Sequence, residues 1–348
     1  MGGMTDIDCM RLALKLAASG RGLVAPNPMV GAVLCHDGRI IGQGYHQQFG
    51  GPHAEVNCFE SVQPEDEGLV SQSTLFVTLE PCSHFGKTPP CADLLIRKGV
   101  GRVVVAVVDP NEKVSGRGID KLRAAGILVE QGLLETEARA LNCRFFTSHL
   151  KRRPWVTLKW AVSADGYMGT GTKERLLISG PAANKMVHEW RAGEDAILIG
   201  AGTAVLDNPL LTVRLTAGRS PLRIVLQTSR PIPQHLKMFQ DGLPVVVVNA
   251  EKDGVEGNTT YVKLNLEQGP EPLMTWLYKN NLQGLMIEGG RKTLQYFLKH
   301  DCWDEIRMIK SNRQFSGEGI RSPELPLNTI ISQDIQVETD TITTYKKI

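Results

Sequence analysis

Four residues, His53, Glu55, Cys82 and Cys91, constrain this chain more than any other feature of its sequence. One histidine and two cysteines can hold a tetrahedral zinc ion and leave the fourth position open for water. Glu55 stands two residues after the histidine and can reach that water without ligating the metal. We therefore predict His53, Cys82 and Cys91 as the metal ligands and Glu55 as the catalytic residue.

A metal with a proton-shuttling glutamate is typical of the zinc-dependent nucleobase deaminases. Their commonest cysteine spacing is Pro-Cys-x-x-Cys, whereas eight residues separate Cys82 from Cys91 here. A loop must therefore leave the metal and return to a helix that begins at Cys91. We expect Lys87 and Thr88 in this loop to contact an anionic group of the substrate, and His84 to be an ordinary loop residue.

Size and charge set the broad class of the molecule. A chain of 348 residues with 42% hydrophobic content is long enough for two domains. Its net charge of +2 demands neither a nucleic-acid nor a membrane partner. The sequence shows no apolar run of membrane-span length and no signal-peptide pattern at its start. Seven scattered cysteines favour a reducing compartment, so we expect a cytoplasmic protein.

The first half of the chain alternates helix and strand patterns. Apolar spacing predicts helices over 6–19, 54–61, 91–98 and 118–125. Residues 30–35 and 39–44 predict a hairpin that turns at Asp37-Gly38. The β-branched runs 75–79 and 102–108 predict buried strands. We expect an α/β sandwich over residues 1–150.

The basic run Lys151–Pro154 interrupts this pattern and suggests a solvated linker, although a phosphate contact is an alternative. After it we predict strands at 155–160, 196–200, 223–226, 245–248 and 285–288. Helices are predicted at 181–191 and 291–299. The alternation favours a largely parallel sheet in a second domain over residues 151–348. Gly200 and Gly202 lack the third glycine of a dinucleotide fingerprint, so they predict no nucleotide site by themselves.

Several longer motifs resemble those of one known family. They occur in the same order as in that family and extend over nearly the full length of the chain. The segment 78–91 reads TLEPCSHFGKTPPC, and PNP at 26–28, GYH at 44–46, HAEV at 53–56 and DPN at 109–111 accompany it. Later motifs are LK at 158–159, SADG at 163–166, DNPLLTVR at 207–214 and EGG at 288–290. The chain resembles the RibD family of bifunctional deaminase/reductases of riboflavin biosynthesis.

The resemblance implies a cytidine deaminase-like three-layer sandwich followed by a dihydrofolate reductase-like α/β domain. Its first substrate would be 2,5-diamino-6-ribosylamino-4(3H)-pyrimidinone 5′-phosphate. Asn27, His46 and Lys87 match positions that hold the base and the phosphorylated ribose. The second domain would reduce the ribosyl group of the deaminated product to ribityl with NADPH, and the family suggests a homo-oligomer assembled through this domain.

For the reductase the resemblance implies two residue sets. Substrate positions are Arg175, Arg191, Leu211, Arg214 and Glu288, with Arg191 and Arg214 as phosphate clamps. Cofactor positions are Ala161, Leu177, Thr203, Asp207, Thr228, Gly290, Arg291, Lys292, Thr293, Leu294, Gln295 and Tyr296. Gly289 and Gly290 would let the backbone approach the pyrophosphate at a helix N-terminus. Lys159 and Asp207 are candidates to assist ring opening or protonation.

Three positions depart from the family pattern. Tyr167 stands where a basic residue is usual, Leu177 replaces a tryptophan, and Gln227 replaces an aspartate. Two other functions therefore stay open at this point. One is a deaminase that acts on another base, such as a base in RNA, and the other makes the second domain a non-catalytic oligomerisation or allosteric module.

Overall fold

A computed structural model describes residues 3–83, 89–111, 115–170, 177–227, 231–315 and 319–348. The chain divides into two compact units, Met1–Arg152 and Arg153–Ile348. No helix in the described ranges is both long and apolar enough to cross a membrane.

The first unit alternates helices with short strands. Its helices are α1 (Asp6–Ala18), α2 (Ala54–Glu60), α3 (Cys91–Lys98), α4 (Arg117–Ala124), α5 (Glu135–Leu141) and α6 (Cys143–Lys151), with a 3-10 helix at Pro64–Gln72. Its strands are β1 (Gly31–His36), β2 (Arg39–Tyr45), β3 (Thr74–Val77), β4 (Arg102–Val105) and β5 (Leu128–Gln131). The predicted helices all form, and the two predicted buried strands end two and three residues early.

Within the described residues these strands form a sheet of order β2-β1-β3-β4-β5. The β1–β2 hairpin is antiparallel, and its turn residues Asp37 and Gly38 both have positive φ, as a type I′ turn requires. Strands β3, β4 and β5 run parallel. Helices α1, α5 and α6 pack on one face, and α2, α3 and α4 pack on the other. The predicted three-layer sandwich is confirmed.

The second unit is larger. Its helices are α7 (Pro181–Ala192), α8 (Ala201–Asp207), α9 (Lys237–Gln240), α10 (Glu271–Lys279) and α11 (Arg291–Lys299). Its strands are β6 (Trp155–Val162), β7 (Tyr167–Gly169), β8 (Ala196–Gly200), β9 (Leu222–Leu226), β10 (Val245–Asn249), β11 (Gly254–Glu256), β12 (Thr259–Lys263), β13 (Gly284–Gly289), β14 (Glu305–Ser311), β15 (Ile320–Arg321), β16 (Thr329–Val337) and β17 (Asp340–Lys347).

The main sheet of this unit has the order β11-β12-β10-β9-β8-β13-β6-β14-β17-β16 among the described residues. From β12 to β14 all neighbouring strands are parallel, and β11, β17 and β16 pair antiparallel. Strand β13 is inserted between β8 and β6. The strands before it are added on one side of β6 and β14 is added on the other side, so the strand order switches at this point. In open α/β sheets, ligands bind beyond the carboxyl ends of strands at such a point.

Side chains alternate between the two faces of this sheet, so each strand contributes to two cores. Leu158, Leu198 and Ile287 pack with α10 and α11 on one face. Ile197, Ile199 and Met286 pack with α8 and α9 on the other face. Helix α7 covers the face of β14 and β17 through Ala183 and Val187.

The basic run before β6 is not simply solvated. Arg153 forms a two-point ion pair with the buried Asp304, with N–O distances of 2.5 and 2.7 Å. Arg152 has a left-handed φ of 51° and ends α6. This part of the linker hypothesis was wrong, because one of its arginines anchors the first strand of the second unit.

Candidate active sites

Helix α2 carries the first metal ligand and the catalytic candidate. His53 is its N-cap residue and Glu55 lies in its first turn. The helix lies directly against β2 because Gly42 and Gly44 present no side chain there, and a Cβ on either would collide with the backbone of Cys58. This close contact fixes the position of His53 and buries Glu55, which is 3% exposed.

The two cysteines meet at the start of α3. The backbone N–H of Cys91 donates to the Cys82 sulfur at 3.3 Å, and the N–H of Ala92 donates to the Cys82 carbonyl at 3.1 Å. Free N–H groups at a helix N-terminus stabilise a thiolate. Cys82 and Cys91 are therefore neighbours in space although eight residues separate them in the sequence.

These ligands fit a zinc ion. The Nδ1 atom of His53 lies 3.6 Å from the Cys82 sulfur and 3.3 Å from the Cys91 sulfur. All three ligand atoms lie within 4.8 Å of one another. Zinc bonds of about 2.3 Å to sulfur and about 2.0 Å to nitrogen place such atoms roughly 3.6 Å apart in a tetrahedron. The three predicted ligands are brought together in the geometry that zinc needs.

Charge is shared unequally within this cluster. The Cys91 thiol donates to the Cys82 sulfur, which lowers the pKa of Cys82 to about 4 and raises the pKa of Cys91. Burial, followed by the negative charge on Cys82, raises the pKa of Glu55 to about 7. A bound dication would draw this pKa down again. Glu55 is thus a buried carboxyl group whose proton affinity depends on whether the metal ion is bound.

Asn27 and His46 form a fixed pair beside the metal ligands. The His46 Nδ1 lies 2.9 Å from the Pro52 carbonyl oxygen, so this nitrogen carries the proton. Its Nε2 then accepts from the Asn27 side-chain amide at 3.2 Å. Burial lowers the pKa of His46, which favours the neutral form of the ring. Its ring also lies edge-on to the His53 ring, with centroids 5.7 Å apart.

Glu80 has no predicted role, but it connects the segment that carries Cys82 to the backbone around the start of α4. Its buried carboxylate accepts from the backbone N–H groups of Asp109, Gly116 and Gly118 at 2.9 to 3.2 Å. This ties the start of α4 to the segment that carries Cys82. A carboxylate shortly after an apolar strand and directly before Pro81-Cys82 was the signal that could have identified it.

The reductase candidates meet at Glu288, at the end of β13. Arg191 from α7 binds its carboxylate at two points, at 2.6 and 2.8 Å, and the Lys159 Nζ lies 3.9 Å away. Burial would raise the pKa of Glu288, but the charges of Arg191 and Lys159 outweigh it and lower the pKa to about 2. The Arg191 guanidinium is thus held by a carboxylate rather than left for a phosphate.

The loop after α8 carries Leu211 and Arg214. Leu211 is 3% exposed and has a φ of 58°, a left-handed conformation that costs a branched residue free energy. The exposed Arg214 donates to the Thr212 hydroxyl at 2.8 Å. Its backbone N–H donates to the Nδ1 of His188 at 2.9 Å. His188 was missed, although its place three residues before Arg191 on α7 is the spacing of one helix face.

The cofactor candidates gather where β8 and β13 end. These parallel neighbours lead into α8 and α11, so two helix N-termini lie side by side. Gly290 has a φ of 57°, and a Cβ there would stand 2.7 Å from the Thr203 hydroxyl. A Cβ on Gly200 would likewise collide with the Thr293 hydroxyl. These glycines and threonines form a cradle between two helix N-termini, whose unpaired N–H groups suit a pyrophosphate.

Other predicted cofactor residues differ in what they present. The side chain of Leu294 lies in the core, and the Tyr296 hydroxyl donates to the Leu266 carbonyl at 2.5 Å. Within 290–296, a ligand could therefore contact the backbone and the first turn of α11.

The remaining cofactor candidates lie on other elements. Ala161 on β6 packs near α7, Leu177 is 61% exposed, and Asp207 is the last residue of α8. Among the predicted cofactor residues on α11, Lys292 and Gln295 are exposed and Arg291 is half-buried. His84, Lys87, Thr88, Arg175 and Thr228 lie outside the described residues.

Known proteins match both units. Residues 4–107 match the cytidine and deoxycytidylate deaminase zinc-binding region, and residues 154–313 match the RibD C-terminal domain. Riboflavin biosynthesis protein RibD of Aquifex aeolicus is 39% identical over 93% of this chain and 92% of its own length. The Escherichia coli protein of the same name is 37% identical over 87% of this chain and 86% of its own length.

The chain belongs to the RibD family. A solved RibD-type structure from Thermotoga maritima, a diaminohydroxyphosphoribosylaminopyrimidine deaminase/5-amino-6-(5-phosphoribosylamino)uracil reductase, superposes with a TM-score of 0.89. It is 35% identical, and the match covers 98% of each chain. Like other members of the RibD family, this protein is a bifunctional enzyme of riboflavin biosynthesis. It combines a zinc-dependent deaminase with a dihydrofolate reductase-like domain that uses NADPH.

Proposed function

We propose that the first unit deaminates 2,5-diamino-6-ribosylamino-4(3H)-pyrimidinone 5′-phosphate. The second unit then reduces the ribosyl group of 5-amino-6-(5-phosphoribosylamino)uracil to ribityl. The observation that carries this proposal is the convergence of His53, Cys82 and Cys91, with Glu55 buried beside them. The name of the Thermotoga maritima relative, which states both substrates, supports the choice of substrate.

In the deaminase, zinc held by His53, Cys82 and Cys91 supplies a water of lowered pKa. Hydrolysis replaces the C–N bond of the 2-amino group by a C–O bond and releases ammonia. Glu55 accepts the proton that the water loses and donates it to the departing nitrogen. Its burial beside the metal ligands keeps this carboxyl group within reach of both transfers.

Asn27 and His46 position the pyrimidine. Because the neutral His46 ring is held at both nitrogens, it fixes the direction of the Asn27 amide. The amide oxygen of Asn27 is then free to accept a hydrogen bond from an N–H group of the pyrimidine. Lys87, outside the described residues, is assigned to the substrate phosphate on the resemblance alone.

In the reductase, Thr203, Gly290 and the first turn of α11 would hold the phosphates of NADPH, which would supply a hydride. Opening of the ribose ring breaks the ring C–O bond, moves the N–H proton to that oxygen and forms a C=N bond. Reduction then adds a hydride to carbon and a proton to nitrogen. Lys159, whose Nζ lies 3.9 Å from Glu288, is assigned as the donor of this last proton. Arg214 meets the substrate phosphate, while Arg191 holds Glu288 ionised.

Product mass spectrometry tests both halves in one experiment. Zinc-loaded protein is given the diaminopyrimidine ribosyl phosphate with and without NADPH. We expect exchange of an amine for an oxygen without NADPH, and a further gain of two hydrogens with it. Deamination alone would make the second unit non-catalytic, and no change with zinc bound would favour another base as substrate.

The reductase unit also assembles into a homo-oligomer. Strand β16 lies at an edge of the large sheet, and Ile330 and Ile331 on it are 51% and 61% exposed. An exposed apolar edge strand is a template for pairing with another chain. Sedimentation velocity should show an oligomer for the natural chain and a smaller species for Ile331→Lys.

The protein works in the cytoplasm. All seven cysteines lie in the described ranges and none forms a disulfide, as a reducing compartment requires. Fractionation of cells followed by immunodetection tests this placement, and recovery in a membrane or secreted fraction would contradict it.

A further inference from the structure

We propose that His188 is a positioning residue of the reductase, which holds Arg214 where it meets the substrate phosphate. This inference rests on the proposed contact between Arg214 and the phosphate. His188 itself is not placed against the substrate. It acts through the backbone of the loop that carries Arg214.

The geometry is a two-point attachment between α7 and that loop. His188 and Arg191 stand three residues apart on α7 and so share one face. The His188 Nδ1 accepts from the Arg214 backbone N–H at 2.9 Å, and the Arg191 Nη1 donates to the Thr212 carbonyl at 3.3 Å. Both ends of the segment 212–214 are therefore fixed by adjacent turns of a packed helix.

The charges around His188 keep it in the accepting form. His188 is 6% exposed, and the charges of Arg191, Arg214, Lys159 and Glu288 act on its ring. Burial, followed by Arg191 and Arg214, lowers the pKa of His188 to about 4. The imidazole is neutral at physiological pH, so its Nδ1 lone pair stays available to the Arg214 N–H.

The loop needs this support because its backbone is strained. Leu211 holds a left-handed conformation while buried, and such conformations persist only where the surroundings over-determine them. Without the His188 acceptor, the segment can relax and carry the Arg214 guanidinium away from its place over Thr212. Binding of the phosphate would then weaken while hydride transfer stays unchanged.

Two amide substitutions separate this role from general packing. His188→Asn places an oxygen near the position of Nδ1, whereas His188→Gln places it near that of Nε2. We expect His188→Gln to raise the KM for 5-amino-6-(5-phosphoribosylamino)uracil about tenfold with kcat retained. His188→Asn should stay close to the natural enzyme, and so should the matched control Glu189→Gln on the exposed side of α7. With the same substrate lacking its phosphate, all four proteins should share one KM.

Equal KM values for the Asn and Gln variants, or an equal rise with both substrates, would overturn the proposal. Amide hydrogen exchange supplies a readout that needs no turnover. Exchange of the Arg214 N–H should accelerate in His188→Gln and not in His188→Asn, and unchanged exchange in both would also overturn it. If the natural enzyme reduces neither substrate, the proposed function fails, and the exchange data still decide whether His188 positions this loop.

Discussion

Glu55 and Glu288 show how two buried carboxyl groups of one chain acquire opposite properties. Glu55 faces a thiolate, and its pKa rises to about 7. Glu288 is also buried, but two cations adjoin it and its pKa falls to about 2. Environment, rather than residue type, therefore makes the first group a proton carrier and the second a fixed anion.

The role of Glu55 predicts a selective loss of activity. Glu55→Gln keeps the size of the side chain but removes its ability to accept a proton. Deamination should fall about 10²–10⁴-fold, while bound zinc and NADPH-dependent reduction stay unchanged. Steady-state assays of both reactions and metal analysis check this. Glu60→Gln, on the exposed end of α2, is the control, and comparable losses in both variants would show that Glu55 has no special role.

The ion pair of Glu288 predicts a pH-dependent contribution to stability. Its folded-state pKa of about 2 lies below the ordinary 4.5, so the pair stabilises the fold above pH 4.5. That contribution is lost as the pH falls toward 2. Glu288→Gln, which leaves Arg191 buried without its anion, should cost about 3 kcal/mol or more at pH 7. Urea unfolding should show the gap between the two proteins narrowing below pH 4.5. A gap that stays constant with pH would contradict the assignment.

At the scale of elements, the N-termini of three helices lie at the candidate sites. Helix α2 presents His53, α3 binds the Cys82 sulfur, and α11 faces the cofactor cradle. Each begins directly after a turn or a strand end, where unpaired N–H groups and the positive end of the helix dipole favour an anion. The positions of the helices in the first unit depend on glycines that let the backbones of neighbouring elements approach closely, such as Gly44 beside α2.

The junction of α4 with the Cys82 segment tests this dependence. Gly118 lies against the Pro81 carbonyl, and a Cβ there would collide with it. Gly118→Ala should destabilise the first unit by about 1–3 kcal/mol and speed release of zinc to a chelator, because Cys82 must shift. Gly68→Ala is the matched control, since nothing lies within 4 Å of its added Cβ. Thermal unfolding and a chelator assay measure both effects. Equal zinc release from the two variants would show that α4 does not position Cys82.

On the scale of the whole molecule, each chemistry belongs to one compact unit. All three zinc ligands lie in Met1–Arg152, and Lys159, Arg191 and Glu288 lie in Arg153–Ile348. Removing zinc with a chelator should therefore abolish deamination and leave reduction of the deaminated substrate intact. Parallel assays before and after chelation, with zinc restored as the control, check this. Loss of both activities in proportion would mean that the units depend on one another.

The amount of fold that can be predicted differs along the chain. Helices over 91–98 and 291–299 and the strand over 196–200 have the bounds that the sequence predicts. In contrast, β16 was not predicted. Its residues TIISQDIQV are mostly exposed, and no alternation of apolar and polar side chains marks such an edge strand. Its pairing with β17 exists because the two are adjacent in the folded sheet.

By itself, the sequence identified the candidate residues of the first site, because His53, Glu55, Cys82 and Cys91 have the residue types and the order that a zinc deaminase needs. It also determined the alternation of elements, since hydrogen bonding and side-chain periodicity within an element are local. Only the tertiary structure decided that Arg191 meets Glu288, 97 positions away, and that His188 meets Arg214. It likewise brought Glu80 to the start of α4. The physical reason is that a buried charge or polar group takes its partner from whichever strand end or loop the sheet places beside it, and strand order is not written in any local pattern.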